Sequence, residues 1–170
     1  MGFFTWLTGT SRPAPGTRPR SPDEVRAALL AVNRPSAPFL VRAGEANEPE
    51  LVSEWRIVDA RWYEVFAAAE LQKAAKILMR LDVARREVRA VDQEWSVEWR
   101  AGVPQLSLSA SAFRGQTATV ELGRGYAFTE SLRPGEVYNY RFVSKEMKEP
   151  LRQAVLGAGW SWRGVAFGKL

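Results

Sequence analysis

The chain has 170 residues, 46% of them hydrophobic and 25% charged, a composition that suits one folded domain with its own core and excludes a disordered chain or a bundle of membrane spans. It contains no histidine and no cysteine, which rules out Ser-His-acid triads, thiolate nucleophiles, disulfides and His/Cys metal sites. The net charge of +5 is unevenly placed: residues 1–43 hold six arginines against Asp23 and Glu24, leaving 18 basic and 17 acidic residues for 44–170, so a basic groove through the whole fold is not expected.

The chain opens with "MGFFTWL", which lacks a basic leading region and is too short in its apolar stretch for a secretory signal. Trp6 also stands where a myristoylation site needs Ser or Thr. A cytoplasmic protein is the expectation. Residues 8–22, "TGTSRPAPGTRPRSP", are rich in Pro, Gly, Ser and Thr and show no apolar period, which predicts an extended linker. Ser21 then suits a helix N-cap, with Pro22 at the first helical position and Asp23 and Glu24 in the first turn. Val25, Leu29 and Val32 follow at near-helical spacing, and Pro35 stops the run.

"FLVRA" and "LVSEWRIVD" read as strands, and Trp62, Val65, Phe66 and Ala69 recur at helical spacing after an N-cap at Asp59. From residue 76 the period becomes two: "KILMRLDV", "REVRAVDQ", "EWSVEWRA", "QLSLSASAF", "QTATVEL" and "EVYNYRFV" predict an antiparallel meander, with turns at "AGVP", "RGQ", "GRG" and "RPGE". A last helix carries Met147, Leu151, Ala154 and Val155 on one stripe, and Pro150 predicts that it begins only a few residues earlier. "WSWRGVAFGKL" alternates again and predicts a returning strand.

The segment "DQEWSVEW", residues 92–99, carries the most suggestive chemistry. Under strand alternation Asp92, Glu94, Ser96, Glu98 and Arg100 share one face, and Trp95, Val97 and Trp99 share the other. The expectation is a solvated charged face backed by buried tryptophans, with a ligand groove lined by Trp95 and Trp99 as the alternative. Asp92 and Glu94, two positions apart, lie about 6.6 Å apart along a strand, within the span of inverting glycosidase carboxylates. Glu94 and Glu98 lie roughly 13 Å apart and fall outside it.

Other motifs fail on spacing. "GWSWRG" is one residue too long for a nucleophile elbow at Ser161, and "GRGYAF" lacks the third glycine of a dinucleotide loop. Lys73 and Lys76 have the chemistry of an acid or base, but nothing in the sequence singles them out. No cofactor or metal site is expected.

The N-terminal arm is the other feature of note. Phe3, Phe4, Trp6 and Leu7 precede Arg12, Arg18 and Arg20, a pairing of apolar wedge and basic tether that suits either a protein partner or weak contact with an anionic membrane surface. It has too few basic residues for sequence-specific nucleic-acid binding. The alternative is that the segment folds back to cover an apolar patch on the sheet; if it is instead an interaction device, residues 1–20 are expected to be dispensable for stability.

"EWRIVDARWYEVF", "EVRAVDQEWSVEWRAGVP" and "GWSWRGVAFGKL" resemble a group of uncharacterised proteins from high-GC actinobacteria, over residues 38–170. The resemblance implies a bacterial, cytoplasmic protein and brings no catalytic or binding residue with it. Together these readings predict an arm and linker over 1–21 and a single α+β domain over 22–170. In that domain a curved antiparallel sheet of seven to nine strands packs on two or three helices. The function expected is a non-enzymatic binding or scaffold module that docks or self-associates through its arm. A carboxylate-dependent hydrolase or small-molecule pocket using Asp92 and Glu94 is the alternative.

Overall fold

The computed structural model describes residues 9–57, 59–108, 126–128, 132, 138–140, 144–165 and 170. Phe3, Phe4, Trp6 and Leu7 of the arm and the predicted strand "QTATVEL" lie outside the described residues.

The fold is mixed α+β, as the sequence predicts. Strands β1 (Thr10–Ser11), β2 (Phe39–Ala43), β3 (Leu51–Trp55), β4 (Lys73–Asp82), β5 (Glu87–Arg100), β6 (Val103–Leu108) and β9 (Ser161–Gly164) form one seven-stranded sheet. Its order is β1-β9-β5-β4-β3-β2, with β6 paired to the far half of β5. Strands β7 (Tyr126–Phe128) and β8 (Tyr138–Tyr140) form a separate antiparallel pair. Among the described residues three helices accompany them: α1 (Pro22–Leu30), α2 (Tyr63–Ala68), which a 3-10 turn over Ala60–Trp62 precedes, and α3 (Ser144–Gly157). Among the described residues no helix is long and apolar enough to cross a membrane.

Local chemistry explains most of these elements. Ser21 and Glu24 close a capping box on α1: the Glu24 amide donates to Ser21 Oγ at 3.3 Å, and the Ser21 amide donates to the Glu24 carboxylate at 2.8 Å. The β5–β6 hairpin turns on Ala101 and Gly102, both at positive φ (49° and 77°), the two-residue geometry whose twist matches that of its strands. Tertiary burial overrides the expectation at α3, which starts six residues ahead of Pro150. Met147, Leu151 and Val155 are fully buried along its stripe, and their burial offsets the backbone hydrogen bond that proline removes.

One face of the sheet carries the core. Val25 and Leu29 of α1, Val65 and Phe66 of α2 and the α3 stripe meet Phe39, Val41, Leu51, Ile77, Met79, Val88 and Trp162 from the strands. Trp55, Trp62, Trp160 and Trp162 are each about 1% exposed. The opposite face, called outer here, carries a smaller apolar row of Val52, Leu78 and Val91, which are direct cross-strand partners on β3, β4 and β5. Val165 and Leu170 pack on that row.

Three differences from the sequence reading have physical causes. The two predicted segments "REVRAVDQ" and "EWSVEWRA" are one 14-residue strand, β5, because no turn residue separates them. The final described strand β9 runs parallel to β5, while the other described pairings of the sheet are antiparallel, and it is reached through the long crossover that parallel pairing requires. The predicted linker contains β1, which pairs antiparallel with β9 through Thr10↔Arg163 and Ser11↔Trp162. The chain beyond β1 is also held: the Arg20 amide donates to the Ala158 carbonyl at 2.9 Å, and the Trp160 indole donates to the Arg20 carbonyl at 2.8 Å. Gly159 lies so close that an added Cβ would sit 2.6 Å from the Arg18 carbonyl oxygen.

Candidate functional site

Asp92 and Glu94, the carboxylates predicted to act together, stay two positions apart on the unbroken strand β5, opposite Ile77 and Ala75 of β4, and each is held by its own lysine. Asp92 is buried on the helix-covered face, where Lys148 of α3 donates to its Oδ2. This corrects the expectation of a wholly solvated charged face, which holds for Ser96, Glu98 and Arg100 farther along. Glu94 is half-buried and ion-paired with Lys73 at 3.1 Å. Both carboxylates are therefore engaged by lysines, and general acid or base work would first require each to give up its ion pair.

The alternation along β5 changes sides. In its first half the even residues Val88, Ala90 and Asp92 are buried toward the helices. In its second half the odd residues, on the other side of the strand, are the covered ones: Val97 is buried, and Trp95 and Trp99 pack partly buried against core residues. Strand β4 ends at Lys73, opposite Ser96, so β5 beyond that point pairs with β6 alone, and a two-stranded ribbon twists more strongly than a broad sheet. Trp99 is fixed there by an indole hydrogen bond to the Leu71 carbonyl at 2.7 Å and an edge-on contact with Tyr63. Its seat is structural.

Trp95 sits differently. It lines an open cavity of about 300 Å³, together with Trp55, Ile57, Ala74, Ala75 and Leu106 as apolar wall and Arg42, Glu45, Glu48, Glu54 and Lys76 as polar wall. Neither Asp92, Glu94 nor Trp99 reaches this lining. Sheet register builds most of it: Arg42 on β2, Glu54 on β3, Lys76 on β4 and Trp95 on β5 come from four adjacent strands, with Glu54 and Lys76 direct partners.

The charges form one network. Arg42 contacts Glu48 at 2.5 and 2.9 Å and Glu54 at 2.9 Å, and Lys76 contacts Glu54 at 3.0 Å and Glu48 at 3.9 Å. The Lys76 ammonium also lies 5.3 Å from the Trp95 ring centroid, within cation–π range, and the Trp95 indole donates to Gln93 Oε1 at 3.0 Å. The Arg42 guanidinium, whose own protonation is strengthened by the two carboxylates, holds Glu48 down to about 2. Burial pushes Glu54 upward, but Arg42 and Lys76 outweigh it and leave its carboxyl below the ordinary value.

Glu45 and Glu48 reach the site on the β2–β3 loop. That loop folds tightly on Gly44, where an added Cβ would meet the Pro49 carbonyl oxygen at 1.6 Å. The Gly44 amide donates to the Glu50 carbonyl at 3.0 Å, and the Glu48 amide donates to the Glu45 carbonyl at 2.9 Å. Sequence reasoning missed Arg42, Glu48 and Glu54 because strand alternation within one segment cannot reveal which strands lie side by side. The arginines Arg12, Arg18 and Arg20 of the arm are exposed at the other end of the fold's first strand and its continuation. Compared with known proteins, the chain matches no family model, no curated protein and no solved structure.

Proposed function

We propose that the protein is a non-enzymatic binding module whose ligand seat is the cavity beside Trp95. The observation that carries this reading is the join of an aromatic and aliphatic wall to a pre-paired charged wall around about 300 Å³, the size and make-up of a small-ligand site. The side-chain charges of the lining are Arg42 and Lys76 against Glu45, Glu48 and Glu54. One carboxylate is in excess, which favours a small aromatic or aliphatic amine over an acid of the same size. The paired network is held in place before any ligand arrives, so little ordering cost falls on binding.

The test is ligand-observed NMR with a set of small aromatic amines and their matched acids. Saturation transfer to amines that disappears in Trp95→Ala and weakens in Glu45→Gln supports the seat. If no amine binds, or binding survives Trp95→Ala undiminished, the proposal fails. The arm, rooted at the sheet edge through β1, supplies a second contact in this reading, to a protein partner or an anionic membrane surface.

A further inference from the structure

The near-neutral charge of the domain hides a segregation that register makes visible. Arg80 on β4, Arg89 on β5 and Arg163 on β9 are direct cross-strand partners, and Thr10 of β1 is the next partner of Arg163. All three arginines lie two positions from the apolar row of Leu78 and Val91 or beside it in register, so they stand on the outer face as one row across adjacent strands. Like charges placed directly opposite one another destabilise a sheet, yet here three are aligned.

Part of that cost is offset locally. Arg89, half-buried, contacts Asp82 at 3.2 Å and Glu87 at 3.3 Å, and Arg163 lies 3.7 Å from Glu87. Arg80 donates to the Leu170 main-chain oxygen at 3.1 Å and is exposed. Arg85 and Arg86 lie exposed in the β4–β5 turn beyond the row, and the exposed Arg12 follows β1 directly. Six arginines thus lie on or next to this row, two of them, Arg89 and Arg163, in contact with the carboxylates of Asp82 and Glu87.

We propose that this arginine strip docks on an anionic membrane surface, taking phospholipid headgroups as its ligands. Two observations select a lipid surface over a nucleic acid. The tryptophans at this end, Trp160 and Trp162, are about 1% exposed, so the described strip presents no aromatic platform for stacking bases. The sequence also places Phe3, Phe4, Trp6 and Leu7 within seven residues of Thr10, at most about 25 Å of extended chain. The sequence thus joins an apolar segment to the polybasic strip through a short stretch of chain, and stable peripheral binding needs two such signals. The strip is built on Arg80, Arg89 and Arg163 and not on residues of the cavity, so it stands or falls separately from the ligand seat.

The experiment uses the full chain and sedimentation with vesicles of phosphatidylcholine alone or containing phosphatidylserine. Binding is expected only to the anionic vesicles, and it should fade between about 0.1 and 1 M salt as the screening length falls from ~10 to ~3 Å. The triple variant Arg80→Gln, Arg85→Gln, Arg163→Gln should lose roughly a hundredfold in partitioning, about fivefold per arginine. A charge-matched triple outside the strip, Arg34→Gln, Arg61→Gln, Arg100→Gln, should lose little, and Trp95→Ala should bind vesicles as the parent does. Equal loss in both triples, equal binding to neutral vesicles, no vesicle binding, or binding of duplex DNA in preference to vesicles would each overturn the proposal. Unchanged unfolding midpoints of the two triples keep the comparison one of surface charge.

Discussion

Arg42 holds two carboxylates half out of water, Glu54 from the neighbouring strand and Glu48 from the β2–β3 loop, and the consequence is a pH signature. Glu48 has its carboxyl held at about 2 in the folded chain against an ordinary value near 4.5. Its contribution to stability is therefore fully present above about pH 4.5 and is lost as the pH falls toward 2; the lowered carboxyl of Glu54 acts in the same direction. Replacing Arg42 by Gln is expected to cost about 2 kcal/mol at neutral pH, less than the ~3 to 5 of a fully buried pair because both partners keep some solvent. The deficit against the parent should shrink steadily below pH 4.5. Urea unfolding of both proteins at pH 7, 4 and 3 measures it, and a pH-independent deficit would show that the network does not set these carboxyl values. Little of this was legible in the sequence. Ser21 and Glu24 announce their cap because both partners lie within one turn, whereas Arg42, Glu54, Lys76 and Trp95 are brought together only by the register of four strands.

Among the elements, those with local causes could be read and those with distant partners could not. Strand β2 coincides with the predicted "FLVRA", and α1 begins where Pro22 and the cap place it. Strand β1 escaped notice because two residues carry no period, and its partner lies some 150 positions away. The same distance explains the side change along β5: alternation tells which residues share a face but not which face is covered. A truncation separates the structural from the docking part of the N-terminus. Removing residues 1–8 should leave the thermal midpoint almost unmoved. Removing residues 1–20 should lower it by more than about 4 °C, because it strips β1 from β9, uncovers the β9 edge at Trp162 and Arg163 and takes away the Arg20 carbonyl that accepts from Trp160. Differential scanning calorimetry of the two truncations decides the boundary, and equal midpoints would return residues 9–20 to the status of a tether.

At the scale of the whole molecule, the class and layering follow from composition and period, since an apolar sheet face and three apolar helix stripes bury only against each other. The parallel seam and the order of strands depend on the last turn of α3 delivering β9 back to β5, a long-range choice with no local signal. That order has a consequence for folding. Hairpin pairs such as β4–β5 join residues close in sequence, while β9 closes on β5 only after a long loop is ordered, and such non-local contacts form slowly. In refolding followed by pulsed hydrogen exchange, the β4–β5 amides should gain protection before Gly164, whose amide donates to the Gly9 carbonyl at 2.9 Å. Protection of Gly164 in the earliest phase would contradict this sequence of events. On the ribosome the same geometry becomes a matter of time: β1 takes its place only beside a strand translated some 150 residues later, so a nascent chain short of residue 161 leaves the β9 side of β5 bare, and residues 9–12 wait for the partner that seats them.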